Sequence, residues 1–162
     1  MKNKHPMLSE NHPFKLGIAS VFGVGFLPAS GTWGSFVGML LAPLLKLVPF
    51  LTTTMVILSF CLGIWCIPAL IKDQKDKDPG FVVIDELMGQ LIVFAFLPYD
   101  FANPVTYLLG FVLFRLFDIL KPWPVSFYDR KVHNAWGIML DDFMAGVYAA
   151  TVLALIQMLS IY

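Results

Sequence analysis

Apolar residues in this chain come in long blocks separated by short polar stretches, and the blocks predict helices. Leu16–Leu27 is apolar but falls short of the roughly 20 residues that a membrane-crossing helix needs. It also holds Gly17, Gly23 and Gly25, so a re-entrant or interfacial segment is expected there. Gly34–Val48 reads as a first membrane helix, bent by Pro43, and Thr52–Ile71 as a second, with Pro49 at the turn between them and Pro68 near the second helix's end. The stretch GFVVIDELMGQLIVFAFLP from Gly80 reads as a third, and Pro98–Pro104 as a turn. Val105–Leu120 reads as a fourth helix and Asp142–Ile161 as a fifth. The expected fold class is all-α: a small polytopic helical membrane protein with about four or five membrane-embedded helices, its polar motifs converging on one cytoplasmic side. A single domain covers residues 1–162, and Met1–Lys15 forms a polar tail.

Composition supports the membrane assignment. The chain is 58% hydrophobic and 14% charged, with a mean hydropathy of +0.76. Soluble domains carry about 25% charged residues, so this chain has too little polar surface to face water on all sides. Formal net charge is zero, which points away from a nucleic-acid partner. No obligate protein partner is expected. The opening MKNKHPMLSENHPFK lacks the apolar core and cleavage site of a secretory signal. Cys61 and Cys66 share one apolar run and read as small buried hydrophobes, not as a disulfide framework.

Against this background the polar residues stand out. Phe114–Asp142 gathers Arg115, Asp118, Lys121, Asp129, Arg130, Lys131, His133, Asp141 and Asp142. Asp85 and Glu86 open an apolar helix, where a charge costs at least a few kcal/mol unless satisfied. The helix dipole accounts for one acid at a water-facing end better than for two adjacent ones. The run Lys72–Asp78 reads as a solvated loop. Five alternating spans would put Pro28–Ser35 (PASGTWGS), Asp85–Glu86, Asp118–Lys121 and Asp141–Asp142 on one side, with only the loops near Pro49 and Asp100 opposite. Lys2, Lys4, Lys15, Lys72, Lys75, Lys77, Lys121, Arg130 and Lys131 also fall on the motif side, and Lys46 near the other. The positive-inside rule makes the motif side cytoplasmic.

Asp85, Glu86, Asp118, Asp141 and Asp142 supply carboxylate oxygens with no His/Cys cluster, so the expected metal is a hard cation, Mg²⁺ first. Lys121 stands three residues after Asp118 and would project to a similar face, with Pro122 ending the helix. Arg115, three residues before Asp118, is either a phosphate partner or a structural ion pair with that aspartate. His133 reads as a surface or supporting residue. PASGTWGS is either a phosphate cradle at a helix N-terminus or an ordinary helix start capped by Thr32 or Ser35. It is no Walker A loop, since no Gly-Lys-Ser/Thr follows.

Covalent phosphatase signatures are missing. The position six residues after each cysteine, where a cysteine phosphatase needs arginine, holds Ile67 or Lys72. Asp76-Lys77-Asp78 lacks the buried strand of an aspartyl-phosphate enzyme, and Thr32 stands where membrane histidine phosphatases need histidine. Direct hydrolysis at a metal is therefore expected over a phospho-enzyme. Two other classes compete. A small transporter or ion-binding protein also uses intramembrane acids, but near the midplane and not at helix ends on one side. A cytidine-nucleotide-dependent head-group transferase would need an Asp-Gly start and a spaced Asp array with Arg.

GTWGS, the IDE of Ile84–Glu86, and FRLFDILKPWP followed by GIMLDDFMAG resemble the phosphatidylglycerophosphatase A family of bacterial lipid phosphatases. Matching positions are Gly31, Thr32, Gly34, Ser35, Asp85, Glu86, Gly89, Arg115, Asp118, Lys121, Pro122, Pro124, Gly137, Asp141, Asp142, Ala145 and Gly146. Ser30 departs from the pattern where proline is expected, and Asn134-Ala135 replaces a Gly-Gly after the histidine. The resemblance implies an all-helical, Mg²⁺-dependent enzyme of the bacterial inner membrane that hydrolyses phosphatidylglycerophosphate to phosphatidylglycerol and phosphate. Its partner would be the phospholipid substrate in the membrane. On this reading the catalytic residues are Asp85, Asp118, Lys121 and Asp142. The metal is held among Asp85, Glu86, Asp118, Asp141 and Asp142. Gly31, Thr32, Ser35, Arg115 and Lys121 receive the substrate phosphate.

Overall fold

The computed structural model describes residues 12–72, 79–95 and 103–160. The start of the polar tail, most of the charged run after Lys72 and most of the Pro98–Pro104 turn lie outside these residues. The described chain forms α1 (Pro13–Ala19), a 3₁₀ turn (Val24–Phe26), α2 (Ser30–Leu45), α3 (Leu51–Ile71), α4 (Ile84–Ala95), α5 (Pro104–Leu120), α6 (Val125–Lys131) and α7 (Ala135–Ser160). No strand occurs among the described residues.

α4 is the centre. Ile84, Asp85 and every residue from Met88 to Phe94 are buried. A helix that is apolar nearly all round belongs inside a bundle, and α2, α3 and α7 pack around it. α5 and α6 pack on α7, and α1 on α3. Two glycines let α4 and α7 touch at the backbone. A Cβ added at Gly146 would lie 2.5 Å from the Gly89 carbonyl oxygen, and one added at Gly89 would lie 2.7 Å from that of Asp142. Gly34 and Gly38, expected to permit close helix contact, turn their small face to α4, where added Cβ atoms would lie 3.0 Å from Val83 O and 2.9 Å from Gln90 Cβ.

The segment Leu16–Leu27 does not span. After α1 it reverses through left-handed backbone at Val21, Phe22 and Gly23 (φ 48°, 54° and 100°) before the 3₁₀ turn. The Val83 N–H donates to Ala19 O at 2.9 Å, which ties this reversal to the start of α4. Lys15 lies over the Trp65 ring at 4.6 Å and anchors α1 to α3.

Two helices, α3 and α7, are long and apolar enough to cross a membrane. α2 is apolar but has 16 residues, α5 has 17 and α4 has 12. Two boundaries differ from expectation. α2 begins at Ser30, four residues before Gly34, so PASGTWGS holds a helix start, one of its two expected readings. Its N-cap is Ala29, in left-handed backbone and with no side-chain cap, whereas Ser35 Oγ donates within the helix to Gly31 O at 2.8 Å. α7 begins at Ala135 instead of Asp142 because Asn134 Oδ1 accepts from the N–H groups of Trp136 (2.9 Å) and Gly137 (3.2 Å). Asp141 and Asp142 therefore lie inside a helix.

Candidate active site

The site lies where the start of α2, the start of α4, the end of α5 and the first turns of α7 meet. Asp85 and Glu86 are in the first turn of α4. Asp142 reaches them from α7: one carboxylate oxygen from each of the three lies within 4.8 Å of the others. Gly89 and Gly146 each stand four positions after an acid of this trio, so the backbone crossing is one turn below the carboxylates on both helices. Asp85 and Asp142 are buried at 5% and 4% exposure. Asp118 and Asp141 are the other carboxylates near enough to bear on the charge of Asp142. Packed carboxylates in a low-dielectric site are relieved by a counter-cation or by a proton. The all-oxygen trio fits a hard divalent ion, which takes carboxylate ligands.

The remaining members of the acidic set are held by cations. Arg115 Nη1 is 2.7 Å from Asp118 Oδ2 and donates to Ser35 Oγ at 3.3 Å. A Cβ at Gly31 would overlap Glu86 Oε1 and sit 3.3 Å from Arg115 Nη1. Gly31 is thus the gap through which α2 admits these two side chains. Gly31, Ser35, Arg115 and Glu86 are brought together, while Thr32 is exposed one position further on.

Lys121 does not share a face with Asp118. It ends α5 in left-handed backbone (φ 44°), its N–H donating to Phe117 O, and Pro122 follows. Its ammonium turns to α6 and α7, 2.5 Å from Asp129 Oδ1 and 2.9 Å from Asp141 Oδ2. Burial disfavours the charged lysine, but Asp141 and Asp129 outweigh it and raise its pKa above the ordinary range. Asp141 Oδ1 accepts the N–H of Asp142 at 3.0 Å, so one carboxylate links the lysine to the trio. Sequence spacing alone assigns Asp129 no role. Its signal is a lone acid on a short amphipathic helix behind the Pro122–Pro124 turn.

His133 is exposed and borders a small cavity lined also by Asp129, Val132, Asn134, Gly137, Ile138 and Asp141. Among the cysteines, Cys66 is buried as expected, whereas Cys61 is exposed on α3. One buried polar group lies deeper. Gln90, one turn after Glu86, is fully buried and its amide has no hydrogen-bond partner among the described residues.

A helical bundle that sets a largely buried carboxylate trio beside an arginine and a lysine has the groups that a phosphate-ester hydrolase uses, and the comparisons with known proteins place the chain in that class. The family model of phosphatidylglycerophosphatase A matches residues 17–157. Phosphatidylglycerophosphatase A of Haemophilus influenzae is 39% identical over 163 residues, covering 93% of this chain and 98% of its own. That of Escherichia coli is 37% identical over 148 residues, covering 90% and 84%. A Bacteroides thetaiotaomicron protein, provisionally named a phosphatidylinositol-3-phosphatase, is 35% identical over 147 residues, covering 85% and 89%. No solved structure matches the chain. The chain belongs to the phosphatidylglycerophosphatase A family and is a phosphatase acting on a phosphate monoester.

Proposed function

We propose that this phosphatase is Mg²⁺-dependent and hydrolyses phosphatidylglycerophosphate to phosphatidylglycerol and phosphate from within a bacterial inner membrane, its site facing the cytoplasm. The observation that carries the reading is the Asp85–Glu86–Asp142 trio at the charged end of an apolar bundle. These three residues would hold Mg²⁺, with Asp118 and Asp141 close by. When bound, the ion supplies a Lewis acid that activates water and offsets phosphate charge.

The chain's own residues do the rest. A phosphate monoester carries close to two negative charges at neutral pH. Arg115, fixed by Asp118 and Ser35, keeps further guanidinium donors for phosphate oxygens. Lys121 has three N–H donors, two of them engaged by Asp129 and Asp141. Its ammonium would meet a phosphate oxygen of the substrate. Gly31 keeps this corner open, and Thr32 and Ser35 line the first turns of α2.

A lipid substrate is supported by the exposed apolar surface beside the site. Ile119, Leu120 and Trp123, next to Lys121, are 69%, 67% and 77% exposed and would lie along acyl chains. Trp33, Trp65, Trp123 and Trp136 are the chain's tryptophans. All are exposed, near the helix ends that carry the charged residues, as expected of a membrane–water interface. Further spans besides α3 and α7, and the cytoplasmic orientation, belong to this proposal.

Phosphate release by purified protein tests the reading. The substrates are phosphatidylglycerophosphate, phosphatidic acid, phosphatidylinositol-3-phosphate and a soluble phosphate ester, each with Mg²⁺ and with chelator. Mg²⁺-dependent turnover highest on phosphatidylglycerophosphate is expected. Full activity in excess chelator sinks the metal assignment, and preference for another lipid sinks the substrate assignment.

A further inference from the structure

The two carboxylates that clasp Lys121 are not equivalent. Asp141 has a side chain only 9% exposed, sits on the core helix α7 and has its other oxygen occupied by the Asp142 N–H. Asp129 has a side chain 33% exposed and sits on the seven-residue helix α6. Among the described residues its carboxylate makes no hydrogen bond besides that to Lys121. It borders the small cavity next to His133, which leaves it room to swing outward. The lysine is rooted, because its backbone is locked at the end of α5 between Phe117 and Pro122.

We propose that Asp129 is a positioning residue that competes with phosphate for the Lys121 ammonium, and so sets how tightly phosphate is held and how readily it leaves. The proposal rests on the reading above in which Lys121 meets the phosphate. A phosphate dianion attracts the ammonium more strongly than a single carboxylate does. Of the two clasps, the solvent-exposed one yields first, since exposed ion pairs hold weakly. Asp141 cannot follow, because the Asp142 N–H and the α7 backbone fix it. As inorganic phosphate departs, Asp129 recaptures the lysine and disfavours rebinding.

The test is inhibition of lipid hydrolysis by inorganic phosphate, measured on the full-length purified protein and on Asp129→Asn, Asp129→Glu and Lys121→Ala. Asp129→Asn is expected to lower both the inhibition constant for phosphate and KM by about five-fold, with kcat unchanged or reduced as release slows. Asp129→Glu, which keeps a carboxylate, is expected to stay near the parent values. A folded Asp129→Asn with unchanged or weaker phosphate inhibition overturns the proposal. Lys121→Ala separates the two layers of inference. If it weakens phosphate inhibition while Asp129→Asn changes nothing, only the competition fails. If it leaves phosphate inhibition unchanged, the assignment of Lys121 to the phosphate fails as well. Asp129→Ser replaces the Asn variant if the latter loses its thermal transition, and loss of fold in both makes Asp129 structural and overturns the proposal.

Discussion

Gly146→Ala tests whether the backbone crossing of α4 and α7 sets the geometry of the carboxylate trio. The added methyl would sit 2.5 Å from Gly89 O, 3.1 Å from Ile92 Cβ and 3.2 Å from Gly89 C. Two of these neighbours are backbone atoms that no rotamer change can move. Carbon contacts relax at about 3.5–4.0 Å, so the helices must part by about 1 Å. Overpacking of this kind costs about 1–3 kcal/mol of stability. The larger effect should be on the reaction, since Asp85 and Glu86 lie on one helix and Asp142 on the other. A 1 Å displacement of reacting groups costs about 10²-fold in rate. Gly63→Ala is the control. Its methyl would press on the Met139 side chain, across α3 and α7, and a thioether can move aside. The assay is phosphate release against Mg²⁺ concentration, with thermal unfolding in detergent measured on the same samples. Gly146→Ala should lose about two decades of turnover and require more Mg²⁺, while Gly63→Ala should lose little. A folded Gly146→Ala with turnover close to the parent protein, or equal losses in both variants, refutes the role of the crossing.

Lys121→Ala should cut turnover by roughly 10²–10³ with Mg²⁺ affinity little changed, whereas Asp142→Asn should weaken Mg²⁺ and be partly rescued by excess metal; titrations of turnover against Mg²⁺ decide. Cys61→Ser with Cys66→Ser should leave turnover intact, and loss of activity in the folded double variant would bring back a thiol nucleophile. Gln90→Met removes a buried amide without a partner and keeps its volume, so it should be neutral or stabilising by thermal unfolding. A loss of several degrees would mean that the amide is used. With Asp129 and Asp141 ionised, the raised pKa of Lys121 makes its ion pairs fully stabilising from above the carboxylate range up to the ordinary lysine range, with loss as pH rises through the folded lysine value. The difference in melting temperature between the parent protein and Lys121→Met should therefore be the same at pH 6 and pH 9.

The helices were legible wherever an apolar block was long. Leu51–Ile71 matches its expected span almost to the residue, because no charged residue interrupts it. Residues 80–97 were less clear, since α4 is short and buried on nearly every side and its pattern resembles that of a spanning helix. The start of α7 was misplaced for a local reason. His133-Asn134-Ala135-Trp136 reads as the tail of a polar loop, yet the Asn134 side chain caps the helix there. PASGTWGS posed a similar difficulty. Its glycines and hydroxyls placed the helix start at Gly34, but α2 starts at Ser30 and carries Gly31 and Gly34 as gaps for Glu86 and the start of α4.

At the site, the acids were visible because charge is costly in an apolar chain, but their division was not. Sequence spacing groups Asp118 with Lys121 and Asp141 with Asp142. The structure forms the Arg115–Asp118 ion pair that the three-residue spacing also allowed, but joins Asp141 to Lys121 and leaves Asp142 to meet Asp85 and Glu86. Two features cause this regrouping. The left-handed residue at the end of α5 turns Lys121 away from the face that holds Asp118. The second is the repeated spacing Asp85…Gly89 and Asp142…Gly146, an acid followed four positions later by the glycine at which the helices touch. Either glycine alone suggests only close packing. Together they bring two helices into contact one turn below two buried carboxylates, and this is why charges placed on separate helices converge.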